Sequence, residues 1–330
     1  MHNTSSNDVA QPGAFRFRLA SSRDLPHCIK LLPPGLRLTP SLRRRLPEIW
    51  ARLLSSDARV FTIIDDIGHD HPGNIEGFGL TVFVPDSFAD ELIGAPWPHS
   101  SARFYERLVA GDKVLLTREE LEAAHLTHGI NALGLHFGMR NHDLSNPRSS
   151  QLLNVANAAC YFFHAGWHIR MLMFEVYGEQ TARYMESGGF RLVHDFREIS
   201  PAAFAEVPDN ELPYFFAARR EWVEPAVISG LSQLFASSPP CIHFSAAERR
   251  LLERALLNES DESVAATLGI SRDAVRKTWR GIYERVNHQL PRLIPEGNAP
   301  DGSRGQEKRR HLLLYLRSHL EELRPYRSRK

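Results

Sequence analysis

At 330 residues the chain is too long for most single cores, and about two domains follow from ordinary domain sizes. Forty Lys and Arg stand against 39 Asp and Glu, a formal net charge of +1, so the protein as a whole is neither a polyanion binder nor an acidic tail protein. Any attraction to nucleic acid has to be local. Cys28, Cys160 and Cys241 lie far apart without a C-x-x-C pair, which argues against disulfides and for a reducing compartment. The opening MHNTSSNDVAQPG has no apolar stretch and no run of about 18 apolar residues follows, so a cytoplasmic protein without membrane contact is expected.

Residues 1–14 read as a flexible N-terminus. From Phe15 the pattern alternates: FRFRLA is a strand, DLPHCIKLL and LRRRLPEIWARLL are helices, and ARVFTIID, IEGFGLTVFV and NALGLHFGMR are strands. LLNVANAACYFFHAG is a helix, IRMLMFEV a strand, EQTARYMESG a helix and FRLVHDF a strand. One α/β or α+β domain over 15–200 results. Arg43, Arg44 and Arg45 fall on a helix with Trp50 and Leu53 and read as a solvated face. His69 and His71, His125 and His128, and His164 and His168 form pairs at most, with no third ligand in sight, so no metal is expected. No Ser/His/Asp or Cys/His setting marks a nucleophile, and no catalytic residue is assigned.

The order β-α-α-β-β-β-α-β-α-β is similar to that of the GNAT acyltransferases, and the piece from Leu152 to Phe190 resembles the second half of that fold most closely. The resemblance implies a glycine-rich turn whose amides hold the pyrophosphate of an acyl coenzyme A at a helix start. Here that turn is LSNPRSSQLL, with Leu144, Pro147 and Ser149 at the diagnostic positions, and proline has no amide hydrogen to give. The family's usual acid, a tyrosine five residues before the phenylalanine of a Gly-Phe pair, maps onto Met185, with Tyr184 one residue away. The expectation is therefore a non-catalytic domain that senses a small molecule or a partner, without a resident cofactor. Acyl coenzyme A is the one ligand the resemblance implies.

Residues 201–240, ending in ASSPP, read as a connecting segment. Ser245 and Glu248 then have capping-box spacing before Leu251, Leu252, Ala255 and Leu256. Ser260 caps a short second helix with Asp261 and Glu262 in its first turn, Gly269 supplies a left-handed end and Ile270 an apolar plug. Ser271 caps a third helix. There Val275, Trp279, Ile282 and Val286 form a core stripe, and Arg272, Arg276 and Arg280, with Lys277 beside them, a cationic face. A glycine turn between two such helices is a helix-turn-helix whose second member can enter a major groove.

Over 244–286 the segments FSAAERRLL, VAATL and ISRDAVR resemble the LuxR-type helix-turn-helix without gaps, so the DNA-binding domain is placed at 241–290. The resemblance implies that Arg276, Lys277 and Arg280 reach bases, that Arg272 touches phosphate, and that the protein binds double-stranded DNA as a homodimer. Ala246 and the bulky Trp279 depart from the pattern. Residues 291–330 comprise a loop and a basic amphipathic helix with Leu312, Leu313, Leu316, Leu320 and Leu323 on one stripe, ended by Pro325. Nine Lys and Arg against three Glu fall between Arg304 and Lys330. That helix is expected either to complete the domain's core or to pair with its copy. The fold class is thus a GNAT-like α/β domain plus a small all-α helix-turn-helix domain. The favoured reading is a transcriptional regulator; the alternative is a catalytic acyltransferase tethered to DNA.

Overall fold

The computed structural model describes residues 15–68, 74–223, 229–257, 259–294 and 304–327. Residues 1–14 and 295–303, with His69 and His71, lie outside the described residues. In chain order the elements are β1 (Phe15–Leu19), α1 (Leu25–Lys30), α2 (Pro40–Leu54), β2 (Arg59–Asp66), β3 (Ile75–Val84), α3 (Asp86–Gly94), α4 (Ser100–Ala110) and α5 (Arg118–Leu126). There follow β4 (Ile130–Met139), α6 (Pro147–His164), β5 (Ile169–Tyr177), α7 (Glu179–Ser187), β6 (Arg191–Asp195), α8 (Phe196–Ile199), α9 (Pro201–Phe204) and β7 (Pro213–Arg219). The last are α10 (Gly230–Phe235), α11 (Ala246–Leu256), α12 (Asp261–Leu268), α13 (Arg272–Gln289) and α14 (Arg304–Ser318). None of the described helices is long and apolar enough to cross a membrane. The chain divides into two compact units, Met1–Arg118, Asn131–Cys160 and Met171–Ala218 forming the first, and Glu119–Ile130, Tyr161–Arg170 and Arg219–Lys330 the second.

The first unit is built on a seven-stranded sheet in the order β1-β2-β3-β4-β5-β7-β6. β1 to β4 are antiparallel neighbours, as are β6 and β7. β4 and β5 run the same way, since the Ile130 amide donates to His168 O at their starts and Gly134 meets Phe174 further along both. A parallel pair needs a crossover, and α6 supplies it. Every strand expected from the sequence is present. Two features were not expected: α3 to α5 between β3 and β4, and β7, an interior strand inside the segment read as a connection. PYFFAAR is a short, continuously buried run, which periodicity alone does not separate from other apolar segments.

Thr39 caps α2 by accepting from the Leu42 amide, and Leu42, Leu46, Ile49, Trp50 and Leu53 form its buried stripe. Arg43, Arg44 and Arg45 stay exposed, as a solvated face should. Trp50 meets Phe61 edge-on at 5.4 Å and Phe78 at 5.6 Å. Its indole N–H donates to the Tyr105 hydroxyl at 2.8 Å, and that hydroxyl lies 2.6 Å from His136 Nε2. All three side chains are buried, so the phenol partners two ring nitrogens that would otherwise be stranded in apolar surroundings.

In the second unit the capping signals form as read. Ser245 and Glu248 make a reciprocal capping box, and Ser260 and Ser271 accept from Ser263 N and Ala274 N. Gly269, at φ 65° and ψ 33°, ends α12 in the left-handed region. The Ile270 amide donates to Ala265 O and the Gly269 amide to Ala266 O, so backbone hydrogen bonds close this turn. Ile270 is not the plug expected: it stays 39% exposed, and Leu268 packs against the core instead. Leu312, Leu316, Leu320 and Leu323 join Leu251, Leu252, Val264, Val275, Trp279, Ile282 and Val286 in one cluster. α14 therefore completes its own unit's core. Glu322, 1% exposed, ties the last turn to the unit's entrance by accepting from the Cys241 and Ile242 amides at 3.0 and 2.8 Å.

Tyr105→Phe should lower stability by about 1–3 kcal/mol, because it leaves the Trp50 N–H and His136 Nε2 unpaired. Denaturant unfolding with an unchanged slope is the measurement. A loss within error would mean that neither group needs the phenol.

Candidate functional site

At the start of α6 the first unit has the loop in which the resemblance places a pyrophosphate cradle. Four of its amides are already engaged. Asp143 N donates to Asn141 Oδ1 at 2.9 Å, Ser145 N to Asp143 Oδ1 at 2.9 Å, Arg148 N to Asn146 Oδ1 at 2.9 Å and Ser150 N to Asn146 O at 3.1 Å. Pro147 begins the helix without an amide hydrogen. Asp143, held ionised by the hydroxyl and amide of Ser145, adds a negative charge where a phosphate would need donors. Arg148 turns away to pair with Asp66 and to lie over the Phe15 ring.

α7 carries the second diagnostic position. Counting along the sequence leads to Met185, yet it is the Tyr184 hydroxyl that reaches α6, accepting from Asn157 Nδ2 at 2.5 Å. Because the phenol oxygen accepts there, its own hydrogen remains available to a third group. The one-residue offset hid this contact from a count made along the chain.

On β5, Glu175 is the one acid of the strand, 9% exposed. It accepts from the Tyr177 hydroxyl at 2.6 Å and the Ser100 amide at 3.0 Å, at the start of α4, where a helix dipole favours negative charge. Burial outweighs these donors and pushes its pKa up to about 7. His99 precedes the helix in the left-handed region, at φ 63° and ψ 53°. Burial, with Arg37 near by, brings its pKa down to about 4, and its Nδ1 and the buried Ser100 Oγ have no hydrogen-bond partner. The sequence signal was a single acid inside IRMLMFEV, which the strand pattern absorbed. His125 and His168 bond each other through ring and backbone atoms at 3.0 and 3.1 Å. Among the described residues no three His, Cys, Asp or Glu side chains are grouped to hold a metal.

In the second unit all four cations assigned to DNA are exposed on α13, away from the Val275, Trp279, Ile282 and Val286 stripe. Arg272 pairs with Glu262, and Arg276 with Asp273 at 3.2 Å. Such exposed pairs are screened by solvent and hold weakly, so either arginine can exchange its partner for another anion. Lys277 and Arg280 have no ion pair among the described residues.

No family model matches the chain, and no curated protein matches it. Solved structures with a similar arrangement include a mutant spermidine N-acetyltransferase from Vibrio cholerae, at 9% identity and TM-score 0.38 over 64% of this chain and 98% of that one. NAA60 of Arabidopsis thaliana, in complex with acetyl-CoA, is similar at 12% identity and TM-score 0.37 over 62% and 98%. FeeM, an N-acyl amino acid synthase from uncultured soil microbes, is similar at 11% identity and TM-score 0.34 over 66% and 98%. From β1 to β6 the order of elements is the β-α-α-β-β-β-α-β-α-β expected from the sequence, with α3 to α5 inserted, and β7 comes later in the chain.

Glu175 generates a prediction whose sign is fixed by linkage. Between about pH 4.5 and 7 the folded protein keeps a proton on this carboxyl that the unfolded chain has released, so stability falls as pH rises through that window. The loss should be on the order of 3 kcal/mol in all. His99, His125 and His136, kept neutral by burial, act in the opposite sense below pH 6.5. Glu175→Gln should therefore gain stability relative to the parent as pH rises from 5 to 7.5, read from thermal unfolding at each pH. Parallel curves for the two proteins would refute the assignment.

Proposed function

We propose that the chain is an acyltransferase of GNAT type carried to double-stranded DNA by a helix-turn-helix unit, and that it acts in transcription regulation. The observation that carries the chemical half is the Asn157–Tyr184 contact. It holds a phenol between α6 and α7 with its hydrogen free to protonate the thiolate that leaves an acyl thioester when an acceptor attacks the carbonyl. The DNA half is supported by the Gly269 turn and by the cationic face of α13, behind which the core stripe is fully used. The dimer implied by the LuxR-type resemblance belongs to the same proposal, with an interface other than the α14 stripe, which is occupied inside the unit.

One observation favours a second reading, a sensor that binds without turnover. The amides at the start of α6 are engaged by Asn141, Asp143 and Asn146, which leaves a nucleotide pyrophosphate poorly served. Release of free thiol from an acyl coenzyme A, followed with a panel of amine acceptors, separates the two. The transferase reading expects sustained release that Tyr184→Phe lowers by about a hundredfold or more. Absence of release above a no-enzyme control, together with ligand-dependent DNA affinity, would establish the sensor instead.

For the DNA half, fluorescence anisotropy of the full chain at several salt concentrations should give a steep fall of affinity with salt. With an operator selected from random DNA, Arg276→Ala and Arg280→Ala should each lose about 1–3 kcal/mol of discrimination against unrelated sequence. Arg272→Ala should weaken all sequences alike and reduce the salt slope by about one. Equal effects of all three on operator and unrelated DNA would refute the assignment of base contacts to Arg276 and Arg280.

A further inference from the structure

Trp279 sits mid-way along α13, 6% exposed, three residues after Arg276 and one before Arg280. Its indole N–H donates to Asp261 Oδ1, in the first turn of α12, at 3.3 Å. The same oxygen accepts from Arg309 Nη1 of α14 at 2.7 Å. Arg309 Nη2 reaches Glu259 O, ahead of α12, at 3.3 Å, and the guanidinium carbon lies 4.6 Å from the Trp279 ring centroid. Tyr283 stacks against Trp279, with ring centroids 5.6 Å apart and planes 26° from parallel. One guanidinium thus touches α12, the segment leading into α12, and α13 at once.

We infer that Arg309 is a positioning residue for base reading, which fixes the rotation of α13 against α12 so that Arg276, Lys277 and Arg280 meet the groove at one angle. The inference rests on the proposed DNA-binding reading. Apolar contacts alone hold a helix loosely about its own axis, because they are non-directional. A planar fork with two donors, stacked on an indole whose own N–H meets the same carboxylate, is directional. Rotation of α13 would carry the tips of Arg276 and Arg280 sideways together. Bidentate contacts to base edges depend on that alignment, whereas a phosphate contact positions the protein without reading sequence. The guanidinium is itself a poor candidate for phosphate, since its side chain is only 25% exposed and its charge is already matched by Asp261.

The test uses the full chain, its selected operator and an unrelated duplex. Arg309→Lys keeps the charge and loses the fork. It should lower the ratio of operator to unrelated affinity about five- to tenfold, with unrelated affinity and salt slope unchanged. Asp261→Asn should do the same, and the double variant should be little worse than the worse single one, because the two act as one clamp. In protein carrying fluorinated tryptophan, the resonance assigned through Trp279→Phe should shift in both variants. A salt slope lowered by about one with the ratio intact would make Arg309 a phosphate contact and overturn the inference. So would an unchanged ratio, which would leave only a structural brace. If Arg309→Lys unfolds the unit, Asp261→Asn gives the same readout on its own. If the parent chain binds no DNA at any salt concentration, the DNA reading fails, and the clamp is then judged by the Trp279 resonance and by coupling of the two substitutions in thermal unfolding. Additive effects with an unmoved resonance would remove the clamp as well.

Discussion

Gly134 has no side chain, and the first unit depends on it. A Cβ built there would lie 2.0 Å from Phe174 Cε1, so only glycine lets that ring lie against β4. The contact brings β5 alongside β4, and α6 becomes the crossover of a parallel pair. From there follows the placement of Glu175, of the α6 start and of Tyr184. Glu175 is the next residue after Phe174, and its carboxyl enters the start of α4. The start of α6 follows the end of β4, and α7, with Tyr184, follows β5. A larger residue at 134 would have to part the two strands before it changed any catalytic or binding group.

The second unit depends on a different kind of constraint. Its signals are local: serine caps, a capping box, a glycine that ends a helix, and an apolar stripe at helical spacing. Each is readable over three to ten residues, which is why the three helices up to α13 could be read from the chain. What α14 does was less legible. Its leucine stripe is equally suited to the domain's own core and to a second copy, since an apolar face carries no label for its partner. The buried Leu312 and Leu316 decide between them. Arg309 shows the same limit, because a basic residue on a basic helix gives no hint that it rests on a tryptophan thirty residues earlier.

In the first unit the strands were legible where apolar residues alternate or run between turns, and the rest was lost for identifiable reasons. β7 is short and continuously apolar. Helices α3 and α4 begin without a side-chain cap, so no capping signal marked their starts. Glu175 was missed because a strand pattern is judged by its majority, and one acid among buried apolar neighbours counts as noise until its partners are known. Tyr184 was displaced by counting from a neighbouring motif, a procedure that assumes a fixed number of residues where the fold only requires a fixed direction.

In the proposed transferase, the features at α6 and α7 would bear on opposite ends of the acyl donor. A nucleotide pyrophosphate needs several unengaged donors and little negative charge, and the α6 start, with Pro147, Asp143 and the Ser145 and Arg148 amides bonded to side chains, meets these needs poorly. A thioester needs one placed proton donor, and Tyr184, fixed by Asn157, can be that donor. These demands are independent, because one concerns affinity and the other the chemical step. On the proposed reading, loss of the pyrophosphate cradle would therefore not by itself abolish transfer; it would shift the donor's binding energy onto the acyl and thiol-bearing portions. A domain of this kind would hold its donor weakly by the nucleotide and more selectively by the remainder, and affinity for coenzyme A alone is a poor measure of whether it turns over.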